Sequence, residues 1–258
     1  MSPARAGACA AALAVVLSGC AAPTGGGGGQ IAPAAVTPAG PAPATVTPKA
    51  NANQITPQQL VGPGETLTAR ILRRTAVYTR PGGHVLFHVT PRTAFGSPRS
   101  MAVLRHDGDW VGVVSEDLSN GHLAWVRTAD VELQRVTWKI RIDLSQRRGW
   151  LLHRGKTYRT FSVGVGTDTY RTPTGRFGVT DRLTSGGGAY GCCALALTGH
   201  QPHVPQDWPG GDRIALHGTP DASSIGIAST HGCLRAAQDT METLIAKVPI
   251  GTQVVVRA

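Results

Sequence analysis

Along the second half of the chain, apolar and polar positions take turns. Val136, Trp138, Ile140 and Ile142 alternate with Thr137, Lys139 and Arg141, the period of a strand with one buried face. Similar runs predict strands over 149–153, 158–165, 176–180, 194–198, 213–217 and 253–257. One stretch, 237–247, has the helical period instead. Its apolar positions Met241, Leu244, Ile245 and Val248 recur at i, i+3, i+4 and i+7, and Pro249 stops the helix. Nearer the start, short apolar runs at 76–78, 85–87, 101–104, 110–113 and 123–126 are separated by Pro81-Gly82-Gly83, Asp107-Gly108-Asp109 and Asn120-Gly121. Short strands with turns at that spacing predict a small β-barrel. The fold class is therefore mainly β: a small barrel at 67–133, then a β-rich domain at 136–258 with one main helix.

The first 57 residues follow neither period. Residues 1–19 have Arg5 as a positive start and an apolar run at 8–17, too short to stay in a membrane as a spanning helix. This is a secretory signal. Leu17-Ser18-Gly19-Cys20 resembles a bacterial lipobox, in which small residues precede a cysteine that becomes lipidated. The alternative is an ordinary signal peptide with an incidental Cys20. Residues 20–57 are Gly, Pro, Ala and Thr with almost no large apolar side chain, so they cannot bury enough surface to offset chain entropy. They read as a disordered tether, reaching on the order of 100 Å at ~3.1 Å per residue if largely polyproline-like. The localisation expected is export, with lipid anchorage to the bacterial membrane on its wall-facing side.

Charge narrows the partners. Lys and Arg number 25 against 15 Asp and Glu, a net charge of +10, which suits anionic surroundings such as membrane headgroups or anionic wall polymers. No basic helical stripe or nucleic-acid motif is present, so nucleic acid is not an expected partner. The Gly-Asp-Trp-Val and Gly-His-Leu-Ala-Trp-Val segments in the first domain resemble bacterial SH3-like domains. Their Trp110 and Trp125 are read as core side chains ahead of a stacking surface for sugar or peptide.

Five cysteines sharpen this further. Cys9 leaves with the signal and Cys20 takes lipid, so Cys192, Cys193 and Cys233 remain. An odd number is no disulfide framework and leaves at least one free thiol in a monomer. Cys192 and Cys193 stand in a strand-like segment, 190–197; on a strand neighbours face opposite sides, and adjacent Cα atoms lie ~3.8 Å apart, below the usual disulfide range of about 4.4–6.8 Å. They are expected to be unjoined, and unable to share a metal ion with His200 and His203. No metal or other cofactor is expected.

The chemistry is concentrated in two segments, Ile214-Ala215-Leu216-His217-Gly218-Thr219 and Ser229-Thr230-His231-Gly232-Cys233-Leu234-Arg235. A cysteine nucleophile reacts as its thiolate, so it needs a base or a lowered pKa, and two histidines stand close upstream. Spacing alone permits either. His217 ends a predicted strand; His231 lies two residues from Cys233. Gly232 permits close backbone approach, which makes the N–H groups at Gly232 and Cys233 candidate oxyanion donors. Arg235 is a candidate for holding a substrate carboxylate or for anchoring the loop. Thr230 is a candidate for lining the pocket or capping a turn, and Tyr170 for facing the substrate.

These two segments, with Ile142-Asp143-Leu144-Ser145, Ser162-Val163-Gly164-Val165-Gly166 and Arg171-Thr172-Pro173-Thr174-Gly175-Arg176-Phe177, resemble the YkuD-type L,D-transpeptidase catalytic domain. The resemblance implies action on peptidoglycan stem peptides through a Cys233 thioester, forming 3→3 cross-links. It also implies that His217 is the base, steered by the backbone carbonyl of Gly218, and that His231 shapes the pocket. Two rivals remain open: an L,D-carboxypeptidase using the same acyl-enzyme, and a non-catalytic peptidoglycan-binding lipoprotein.

Overall fold

The computed structural model describes residues 61–184, 188–204 and 211–258. The signal, Cys20 and tether expectations lie outside them. Among the described residues the chain is mainly β, with a single α-helix.

The first sheet uses β1 (Thr66–Arg70), β2 (Thr75–Tyr78), β3 (Val85–Val89), β4 (Ser100–Asp107), β5 (Trp110–Val113), β6 (Ala124–Arg127) and β7 (Glu132–Val136), in the order β3-β2-β6-β5-β4-β1-β7. It closes around Leu67, Val77, Met101, Val111 and Val126, which are nearly or wholly buried. Two of its strands lie beyond the predicted runs. β1 pairs with β7 across Thr66 to Arg70, so this sheet continues to Val136, three residues past the predicted end of the barrel. Trp110 and Trp125 are half-buried; Trp110 meets the Tyr78 ring edge-on at 5.0 Å and lies under the Arg127 guanidinium.

The second sheet uses β8 (Trp138–Asp143), β9 (Arg148–His153), β10 (Lys156–Ser162), β12 (Gly175–Leu183), β13 (Ala194–His200), β14 (Arg213–Gly218), β16 (Leu234–Ala236) and β17 (Gln253–Arg257). Their order is β10-β9-β8-β17-β12-β13-β14-β16; β11 (Val165–Gly166) pairs separately with β15 (Ala228–Thr230). The alternation read from the sequence has its cause here: Ile140 and Ile142 are fully buried against Leu151, Val254 and Val256. The helix α1 (Gln238–Lys247) lays Met241 and Leu244 into the same core, with Val248 just beyond its end.

The two sheets touch through close and polar contacts. A Cβ on Gly178 would come to 3.0 Å from the Ala102 side chain, so β12 passes close against β4 there and a larger residue would have to push the neighbour aside. Gln253 Nε2 donates to the Val103 carbonyl at 2.7 Å, and Thr93 Oγ1 donates to the fully buried Asp181 at 2.5 Å. Asn120 grips the His200 backbone at both ends, donating to its carbonyl at 2.6 Å and accepting from its N–H at 2.9 Å.

Cys192 and Cys193 differ from expectation: they are joined as a vicinal disulfide. Both precede β13, in the turn after a 3-10 segment at Gly188–Tyr190. The strand alternation that would have held their side chains apart does not apply there.

Candidate active site

The site grows from one strand pair. β14 and β16 run parallel, with Leu216 opposite Leu234 and His217 opposite Arg235. Side chains alternate across a strand, so the leucines share one face and His217 with Arg235 the other. Both leucines are fully buried in the second core. Their burial turns His217 and Arg235 outward, and Cys233 sits immediately before β16 at the same rim. His217, Thr230, His231, Cys233 and Arg235 line one cleft of about 140 Å³.

His217 is only 3% exposed, and its Nδ1 lies 2.6 Å from the Gly218 carbonyl oxygen. A carbonyl can only accept, so the hydrogen sits on Nδ1 and Nε2 is left as the basic nitrogen. Burial pulls the imidazole down to about 4, with Arg235 assisting and the Gly218 hydrogen bond opposing. The ring is therefore neutral at pH 7. Cys233 is half-buried and is the free cysteine among the described residues. Burial pushes its thiol up, while a hydrogen bond from the Ala215 backbone and the charge of Arg235 pull it down. At rest both groups are neutral, the state in which a base could take a thiol proton during attack.

The loop carrying the thiol is held by Thr230. Its Oγ1 donates to the Cys233 carbonyl at 2.6 Å and accepts from the Gly232 N–H at 3.1 Å. This corrects one reading of the sequence: the Gly232 N–H is engaged in a tight turn and is not directed at an oxyanion. The N–H of Cys233, one residue on, is the remaining donor of the two. Gly232 itself has φ +109°, a region L side chains avoid, and an added Cβ would approach Gln201 to 3.0 Å. Tyr170 meets the site through His231, the two ring centroids 4.5 Å apart. Arg235 Nε is buried and has no hydrogen-bond partner among the described residues.

Among the cleft residues that escaped the sequence reading are Tyr190, Gln201 and Asp212. Tyr190 sets its ring 4.8 Å from that of His217, edge to face. Burial and negative charge at Cys233 push its phenol up. Gln201 is 2% exposed; its amide donates to the Arg171 carbonyl at 2.5 Å and accepts from the His203 N–H at 2.9 Å. No motif marks these positions: Tyr190 comes from the connection before β13, and Gln201 and Asp212 come from the two ends of the connection between β13 and β14. No cluster of three or more His, Cys, Asp or Glu suited to a metal ion occurs among the described residues.

A buried imidazole with a fixed tautomer, a free thiol and a guanidinium on one rim are the groups that chemistry through a thiol nucleophile would need. Residues 137–256 match the family model described as YkuD, L,D-transpeptidase catalytic domain, a span holding His217, Thr230, Cys233 and Arg235. The YkuD protein of Bacillus licheniformis is 30% identical over 119 residues, 46% of this chain and 65% of that protein. The YkuD protein of Bacillus subtilis is 27% identical over 121 residues, 47% of this chain and 66% of that protein. The chain thus spans just under two thirds of the length of these curated relatives. Among solved structures, an L,D-transpeptidase from Mycobacterium smegmatis is 12% identical, covers 61% of this chain and 93% of its own, and has a TM-score of 0.40.

Proposed function

We propose that this protein is a peptidoglycan L,D-transpeptidase acting through a thioester on Cys233. The observation that carries the reading is the neutral His217 with its Nδ1 fixed by Gly218, lining the same cleft as the one free thiol among the described residues, inside the span that matches the L,D-transpeptidase model. In this mechanism the Cys233 sulfur attacks the amide carbonyl before the terminal D-alanine of a donor tetrapeptide. His217 Nε2 takes the thiol proton and returns it to the departing D-alanine amine. The Cys233 N–H faces the developing oxyanion, and Arg235 holds a stem-peptide carboxylate. The amine of a second stem's diamino acid then attacks the thioester, giving a 3→3 cross-link and releasing the thiol.

The remaining segments fit a wall-facing enzyme. Residues 1–19 would direct export, Cys20 would carry the lipid, and 20–57 would carry the head away from the membrane. An SH3-like domain at 67–133 would precede the catalytic domain at 136–258. Incubation with purified tetrapeptide muropeptides, followed by mass spectrometry, tests the activity. Cross-linked dimers are the expected product. Tripeptides alone would make the protein an L,D-carboxypeptidase, and unchanged muropeptides would make it a binder.

A further inference from the structure

The cleft has two charged poles. Arg235 supplies the positive one, with its Nε buried and unpartnered among the described residues. Asp212 is the one acid among the described residues lining the cleft, and its side chain is 54% exposed. The neighbouring Arg213 also lines the cleft, but its guanidinium donates to the Leu197 carbonyl at 2.9 Å and to Thr180 Oγ1 at 2.8 Å, and the ion-pair partner of Asp212 is His200, on one oxygen.

Asp212 is also held in place. His200 Nδ1 lies 3.0 Å from one of its carboxylate oxygens, and His200 Nε2 lies 2.9 Å from the Glu116 carbonyl in the first sheet's loop. The same loop clamps the His200 backbone through Asn120. The Asp212 carbonyl accepts from the Gln201 N–H at 2.7 Å, so the backbone on this side of the cleft is fixed too. A carboxylate has two oxygens, and the half-exposed side chain offers the second to a ligand.

We propose that Asp212 is the subsite for the acceptor's ammonium group, and that the loop at Ser115 to Asn120 of the first sheet braces it through His200. The proposal rests on the transpeptidase reading above. An acceptor amine arrives protonated at neutral pH, and a carboxylate at the rim draws it in where water carries no charge to respond. In the transfer itself the new C–N bond forms as the C–S bond breaks. Of the two protons the ammonium loses, one returns the Cys233 sulfur to a thiol by way of His217, and the other leaves to solvent. Asp212 therefore decides how the acyl-enzyme divides between amine and water, and not whether it forms.

The ratio of cross-linked dimer to hydrolysed tripeptide reads that division. Both products leave the same acyl-enzyme, so the ratio does not depend on how much of a variant is folded. With tetrapeptide muropeptides bearing a free ammonium, Asp212→Asn lowers the ratio about fivefold, the discrimination given by one ion pair at a half-exposed carboxylate. Asp212→Glu restores most of it. An unchanged ratio in Asp212→Asn, or no recovery in Asp212→Glu, overturns the subsite and leaves the transpeptidase reading standing. A wild-type protein that makes tripeptide and no dimer overturns both.

Discussion

At the scale of single residues, His217 is shaped by where its neighbours put it. Burial favours the neutral ring, and the Gly218 carbonyl decides which nitrogen stays basic. The same burial ties stability to pH. An unfolded imidazole takes a proton as pH falls through 6.5, whereas the folded one resists until about 4. The stability due to this group is therefore present above 6.5 and lost between 6.5 and 4, amounting to about 3 kcal/mol at about 1.4 kcal/mol per pH unit. Urea midpoints of the wild type should fall over that interval more steeply than those of His217→Gln; parallel curves would show that the ring is not buried neutral. His217→Ala should abolish acylation of Cys233 by a carbapenem, while His231→Ala, which removes an exposed ring tilted against that of Tyr170, should only slow it. Equal losses, timed by intact-mass spectrometry, would mean that the base is assigned wrongly.

At the scale of elements, the site depends on the turn between β15 and β16. Thr230→Val keeps the shape of the side chain and removes both hydrogen bonds of Oγ1, to the Cys233 carbonyl and from the Gly232 N–H. It should cost about 1–3 kcal/mol in unfolding free energy and slow acylation about tenfold, measured by denaturation and by adduct formation. Unaltered kinetics would show that the turn does not position the thiol. The strands and the helix around this turn were legible because alternation and the 3.6-residue period record which face is buried, as Ile140, Ile142, Met241 and Leu244 do. His217 and Cys233 were legible as candidates because a cysteine and a histidine at that spacing are chemical types that stand out, and the structure places both on one cleft. Gln201 and Asp212 were not, since each acts through contacts brought from distant segments. Nor was the Cys192–Cys193 pairing, because the strand-like character of the segment extends over both cysteines, which lie in the turn before β13.

At the scale of the whole molecule, the sheets have separate cores and shared polar contacts. Alternating runs separated by turns announced both sheets, yet their boundary was blurred. Glu132 to Val136 belongs to the first sheet by its pairing with β1, which no local pattern reveals. Gln253 to Val103, Thr93 to Asp181 and Asn120 to His200 cross between the sheets, the first two deeply buried. Such contacts couple the cores, so calorimetry should show one cooperative unfolding transition for residues 61–258. Two well-separated transitions would contradict the coupling. Asn120→Ala releases His200 on both sides of its peptide, and should lower the dimer-to-tripeptide ratio in the same direction as Asp212→Asn. An unchanged ratio would confine the first sheet's influence to stability.

The central claim is that Cys233 carries the acyl group. Intact-mass spectrometry after incubation with a carbapenem tests it most directly, because the β-lactam carbonyl acylates a reactive thiol and leaves a stable mass increment. The account predicts one adduct on the wild type and none on Cys233→Ala. An adduct that persists in Cys233→Ala would contradict it.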